Sequence, residues 1–230
     1  MKNSRRSFLA GGIAASAAFA FSRLHAADAP PPPELARKGA RQDAEQVFEF
    51  VRVGHGNLPR VKEMLATDPK LVLAAWDWGN GDWETGLEGA AHVGNREMAL
   101  YLLEHGARHT LTCAAMLGER DTVLAALRLH PTLANTTGPH GLTLLYHAAI
   151  SGDVAMAEGI APLVAERARH ANQALSAAAR GGHVAMTAWL LKNGVTDLNV
   201  KDGLGKTAAT YAAERNFPEV AELLRTHAAN

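Results

Sequence analysis

One cysteine, Cys113, stands in the whole chain of 230 residues. No internal disulfide is therefore possible, and stability has to come from packing. Aromatic residues are scarce at 6%, and the 23 basic side chains match the 23 acidic ones. No apolar run approaches the ~20 residues that a helix needs to cross a membrane. Neither G-x-S-x-G nor H-E-x-x-H occurs, and Cys113 has no His partner placed by any motif, so no nucleophile–base pair is expected. What the chain does have is Ala in abundance and 47% apolar residues against 20% charged. That balance excludes a disordered chain, a collagen and a disulfide scaffold, and the length suffices to bury a sizeable core.

The even charge hides an asymmetry. Lys2, Arg5, Arg6 and Arg23 lie in the first 26 residues, which contain no acid; the remainder holds 19 basic side chains against 23 acidic ones. A body of that balance gives no electrostatic reason for nucleic-acid binding. The opening is instead an address. Ser4-Arg5-Arg6-Ser7-Phe8-Leu9 precedes a short apolar run from Ala10 to Phe21, and small residues follow near His25-Ala26-Ala27. A positive start, a brief apolar centre and a small-residue end describe a cleaved export signal. The paired arginines followed by Phe-Leu resemble the twin-arginine signal, which carries folded proteins across the bacterial inner membrane. Ala10 stands where such signals often have Lys. Cleavage is expected after Ala26 or Ala27, and no Cys lies nearby to take a lipid. Residues 1–26 are thus assigned to the signal and residues 27–41 to a linker stiffened by Pro30 to Pro33. The expected location is the periplasm.

From residue 42 onward the chain repeats. Small pairs followed by Gly recur as Ala90-Ala91 with Gly94, Ala114-Ala115 with Gly118, Ala148-Ala149 with Gly152, and Ala178-Ala179 with Gly182. Ala212-Ala213 is followed by Asn216, another residue that tolerates the left-handed turn, and Gly56 opens the series. After each turn residue come apolar side chains at helical spacing, such as Met98, Ala99, Leu102 and Leu103, or Val220, Ala221 and Leu224. Each unit reads as two helices, the first kept slim by Ala so that neighbours can stack.

The last unit, Asp197-Leu198-Asn199-Val200-Lys201-Asp202 with Gly205-Lys206-Thr207-Ala208 and Ala212-Ala213, resembles the ankyrin repeat. Thr85-Gly86-Leu87 and Thr143-Leu144-Leu145 stand where ankyrins have T-P-L, and Leu102-Leu103-Glu104-His105-Gly106-Ala107 matches the close of the second helix. The resemblance implies an all-α solenoid of about six helix-turn-helix units with short hairpin fingers over 42–230. Glu88, Tyr146 and Thr210 occupy the usual His position. Units three and five lack the residues for a finger, and Gly159 with Pro162 should kink or split the second helix of unit four.

The resemblance also implies a binding groove made by finger tips and first helices, with a protein partner and no catalysis. The positions that would face the groove are Gly54 and His55, His92 and Val93, Met116 and Leu117, Ile150 and Ser151, Arg180 and Gly181, and Glu214 and Arg215. The densest local feature is Trp76-Asp77-Trp78-Gly79-Asn80-Gly81-Asp82-Trp83-Glu84, on an enlarged finger. Its tryptophans are either an interface hot spot or a small core of the loop itself. Asp77, Asn80, Asp82 and Glu84 are oxygen ligands without EF-hand spacing, and a turn built on Gly79 and Gly81 explains them. His140, in Gly138-Pro139-His140-Gly141, marks a further tip. His105 and His109 are parted by Gly106, so no zinc pair is expected there. The partner-binding set is therefore Trp76, Asp77, Trp78, Asp82, Trp83, His55, His92, Met116, His140, Ile150, Arg180, Glu214 and Arg215, on a monomer, with no metal and no cofactor. The alternative is a ligand- or metal-binding protein, or an enzyme, that uses the 76–84 finger and the neighbouring helix with His92.

Overall fold

The computed structural model describes residues 41–229. The expected signal, the linker up to residue 40 and its cleavage point lie outside the described residues. Within them, twelve α-helices follow one another as six consecutive pairs: α1 (Ala44–Val53) with α2 (Leu58–Thr67), α3 (Gly86–Val93) with α4 (Arg96–Glu104), and α5 (Leu111–Met116) with α6 (Arg120–Leu129). The others are α7 (Leu144–Ser151) with α8 (Val154–Ile160), α9 (Arg167–Gly181) with α10 (Val184–Lys192), and α11 (Ala208–Glu214) with α12 (Pro218–Ala228). Each odd-numbered helix packs on the next odd-numbered one, and α6, α8, α10 and α12 form a second row.

The helices begin where the sequence offers caps. Thr85, Thr110, Thr143 and Thr207 each accept a backbone N–H of the first turn of α3, α5, α7 and α11. Asn57, Asn95 and Asp153 do the same for α2, α4 and α8. Each cap of this kind is worth about 1 kcal/mol. At the turns, Gly94, Gly118, Gly152, Gly182 and Asn216 all have left-handed φ between 56° and 76°. The first of the expected series departs. Helix α1 ends at Gly54 with φ −55°, and the left-handed turn expected at Gly56 is not made.

The Ala pairs do what slim helices require. Ala90, Ala91, Ala114, Ala115, Ala148, Ala149, Ala178, Ala179 and Ala212 are buried, while Ala213, on the last odd-numbered helix, is exposed. Two apolar clusters result. Phe50, Leu71, Leu87, Met98 and Leu102 centre the first, and Leu145, Met156, Ile160, Leu175, Met186 and Leu190 the second. Cys113 is buried in the first, and burial pushes its thiol up to about 12, which makes it an inert core residue.

The segments between pairs differ most. Between α2 and α3 the chain forms the antiparallel pair β1 (Ala75–Asp77) and β2 (Trp83–Thr85), in the register Ala75 with Thr85, Trp76 with Glu84 and Asp77 with Trp83. Gly79, Asn80 and Gly81 supply three consecutive positive φ values at its tip, as the turn residues require. The chain enters α5 directly from residues 107–110, with no finger. Before α9 there is none either; α9 instead runs for 15 residues, against 8 for α7. Pro162 lies in a 3₁₀ turn (Ala161–Leu163) that ends α8, so the helix is split where its ring forbids continuation. Gly159 stays helical, and its missing Cβ leaves room for Leu124, which a methyl there would meet at 2.4 Å.

Candidate functional site

Alternation along β2 decides the centre of the site. Trp83 points outward and is 59% exposed, Glu84 points inward and is fully buried, and Thr85 caps α3. The end of α1 reaches this strand because two glycines face each other. A Cβ on Gly54 would lie 2.8 Å from Gly86 Cα, so α1 and α3 approach backbone to backbone. His55, the next residue, then lies over Gly89, and a Cβ there would come within 3.0 Å of its ring. His92 arrives from the last turn of α3. The fourth member comes from the turn Pro139–Gly141, where His140 holds a left-handed φ of 59°. Asp82 secures it twice, accepting from the His140 backbone N–H at 2.8 Å and lying 2.8 Å from Nδ1. No finger of the third helix pair stands between the β1–β2 tip and this turn, which lets the two tips meet.

The result is a cluster of ring nitrogens around one carboxylate oxygen. Glu84 Oε1 lies 2.8 Å from His92 Nε2, 3.4 Å from His55 Nε2 and 3.8 Å from His140 Nε2. His55 Nε2 and His92 Nε2 are 3.0 Å apart. The other oxygen, Glu84 Oε2, accepts the indole N–H of Trp78 at 2.6 Å. Oε1 itself is buried, and no ring N–H is aligned to donate to it. Burial alone would raise the Glu84 carboxyl, but the His55 and His92 rings overcome that and hold it at about 2. Burial also opposes charge on His55. There the Glu84 carboxylate and the carbonyls of Val51 and Arg52 win, and its pKa is raised. For His92 burial wins against Glu84, and its pKa is lowered.

This cluster forms one end of a groove of about 940 Å³. The groove continues over Tyr146 of α7, along Gln173, Ser176 and Arg180 of α9, to the turn at Val200–Leu204. Arg180 braces it from within, donating to the His92 carbonyl at 3.0 Å and to Tyr146 Oη at 3.1 Å. At the far tip Asp202 accepts from the backbone of Leu204 and Lys206 and from the Tyr211 hydroxyl, which its proximity pushes up to about 12, with burial the larger cause. The lining mixes cations, amides and apolar side chains.

Of the residues expected to bind a partner, the structure gathers His55, Trp78, Asp82, His92 and His140 into the cluster and sets Arg180 beside it. The tryptophans divide. Trp76 and Trp78 fold back on Phe48 of α1, with ring centres 5.2 and 5.8 Å away, although Trp78 remains 39% exposed; Trp83 makes no such contact and is the most exposed of the three. Asp77 is exposed and caps its own turn by accepting from Gly79 N–H. The expectation fails for Met116. It is only 4% exposed and belongs to the first apolar cluster, because α5 sits deep between α3 and α7. Ile150 is half-buried between the two clusters, and a Cβ on Gly94 would lie 2.8 Å from its side chain. Glu214 and Arg215 are exposed beyond the groove lining, engaged with Lys206 and the Arg180 carbonyl. Asp77, Asn80, Asp82 and Glu84 do not converge, since Glu84 faces inward and Asp82 is committed to His140. Glu84 as the hub escaped the sequence reading. Its one signal was the alternation of the strand, which places it opposite to Trp83.

No curated protein matches the chain. Among solved structures it is similar to a chain in the structure of the predatory endopeptidase Bd0816 of Bdellovibrio bacteriovorus in complex with immunity protein Bd3460. That similarity has 26% sequence identity over 77% of this chain and 96% of the other, with a TM-score of 0.42. At that score it decides nothing about this protein. Residues 175–225, from within α9 to within α12, match the family model of ankyrin repeats in many copies.

Proposed function

We propose that residues 42–229 form an ankyrin-type solenoid of about six helix pairs that binds another exported protein and performs no chemistry of its own. The family match over 175–225 and the pairing of the helices support the repeat reading. Ankyrin repeats generally serve protein–protein interaction. The observation that carries the proposal is the groove of about 940 Å³, which is lined by fingers and first helices, the surface such a stack offers to a partner. Its rim ends in Leu204, an apolar side chain 75% exposed at a loop tip. It supplies an apolar anchor beside a polar wall. The partner is expected in the periplasm, reached through the Arg5-Arg6 signal, and the free protein is expected to be a monomer.

Site-specific crosslinking tests the groove. A photoreactive residue in place of Leu204 should crosslink to a periplasmic protein, whereas one in place of Leu129, exposed on α6 outside the groove lining, should not. Equal yields from the two positions would remove the groove from the binding site. Export is tested by the pair Arg5→Lys, Arg6→Lys. It keeps the charge but loses the guanidinium geometry, and should hold the precursor in the cytoplasm. Normal processing of that variant would leave a general secretory signal.

A further inference from the structure

We propose that the Nε2 atoms of His55, His92 and His140 and Oε1 of Glu84 bind one divalent transition-metal ion, with zinc the best chemical match. The inference stands apart from the protein-binding reading and does not depend on it. The four ligand atoms come from the end of α1, from β2, from the last turn of α3 and from the turn at 139–141. All lie within 4.8 Å of one another. The separations of 2.8, 3.0, 3.4 and 3.8 Å among them bracket the edge of about 3.4 Å that follows for ligands ~2.1 Å from a tetrahedral ion.

Hydrogen bonding alone leaves this arrangement unsatisfied. His55 Nδ1 faces the carbonyls of Val51 and Arg52, both at 3.1 Å, so in the neutral ring it carries the proton and leaves Nε2 bare. In a neutral His140 ring the proton likewise sits on Nδ1, facing the Asp82 carboxylate, and Nε2 is bare as well. With His92 neutral, at most one N–H enters a centre where three other atoms present lone pairs. Protonating all three rings instead would crowd three imidazolium charges, whose ligand atoms lie within 4.8 Å, around the two carboxylates of Glu84 and Asp82. Glu84 Oε1, fully buried with no ring N–H aligned to donate to it, is the visible residue of that mismatch. One dication meets all four lone pairs at once.

The outward contacts are those that hold metal ligands in place. Backbone carbonyls fix the His55 ring, a carboxylate fixes His140, and the Trp78 indole fixes the idle oxygen of Glu84. Three imidazoles with one carboxylate select zinc and its transition-metal neighbours over calcium or magnesium, which prefer all-oxygen shells. His140, 39% exposed and part of the groove wall, leaves a path for the ion to enter. Bound there, the ion fastens the β1–β2 finger to the 139–141 turn across the gap left by the missing third finger.

The test uses the chain purified without a polyhistidine tag and stripped with chelator. It should bind one zinc ion per chain by calorimetry and melt at a higher temperature with zinc than with chelator. Cobalt(II) should give the visible d–d bands of a tetrahedral nitrogen and oxygen site. His140→Ala removes a tip ligand without touching the core; it should weaken zinc at least tenfold and abolish the cobalt bands. His105→Ala, outside the cluster, should behave as the parent. If Glu84→Gln does not fold, His140→Ala and His55→Ala together still decide the matter. Zinc binding that survives both of these changes, or a parent chain without cobalt bands, overturns the proposal.

Discussion

The apolar cluster that runs from Ala114 to Leu224 encloses His147 as an isolated imidazole, whereas the cluster from Phe50 to Leu117 stands beside three imidazoles grouped on a buried carboxylate. His147 donates to the Thr143 carbonyl at 2.9 Å and meets no anion, so burial holds its pKa down to about 4. His55, less buried and facing Glu84, moves the other way. The same side chain is a neutral packing unit in one region and a polar ligand in the other. What separates them is one inward-facing Glu on a finger that the second region lacks. The regular region, which holds the family match, buries no charged side chain; its buried polar groups are His147, His170, Thr143, Ser176 and Thr187. The irregular one is where the fingers bring chemistry together.

The comparison breaks most readily at its hub. Glu84→Ala should destabilise the fold by about 1–3 kcal/mol, because it leaves the Trp78 indole N–H without its acceptor. Urea denaturation measures this, and a loss under 1 kcal/mol would mean that the carboxylate is dispensable. In the regular region, Leu190→Ala should cost about 2–5 kcal/mol through a cavity, with no change in zinc binding. Lost metal affinity in that variant would show that the two regions are coupled.

Acid should unfold the regions in sequence. The pKa of His147 is lower folded than unfolded, so below about 6.5 the unfolded chain takes up the proton first. Stability on the order of 3 kcal/mol should therefore be lost as pH falls from about 6.5 to about 4, and His147→Gln should flatten that limb. Glu84 acts lower. Its depressed carboxyl contributes stability above the ordinary carboxylate range of about 4.3, and this is lost as pH falls toward 2. A melting profile with no loss between pH 6.5 and 4 would contradict the buried neutral His147. The smallest effect belongs to Trp83→Ala, which should change stability by no more than about 0.5 kcal/mol. If Trp83 is a partner anchor, the same change should cost affinity on the order of 2 kcal/mol in a capture assay. Unchanged capture would leave the finger to its local role.

Much of this was written in the linear pattern. Ala pairs within the first helices from α3 onward and Gly or Asn after them are local signals, and they located those helix pairs because left-handed turns depend on few neighbours. The break at Pro162 and the turn at Gly79 and Gly81 were legible for the same reason. Met116 was misplaced because its repeat position said groove, while the depth of α5 between α3 and α7 is set by packing. Tertiary structure alone decided the cluster. His55, Glu84, His92 and His140 share no short spacing, and they converge only because Gly54 meets Gly86, β2 turns Glu84 inward and the missing third finger lets Asp82 grip His140. Local chemistry chose where the chain turns; the stacking of those turns chose which side chains meet, because distance along the chain carries no information about a contact made across four elements.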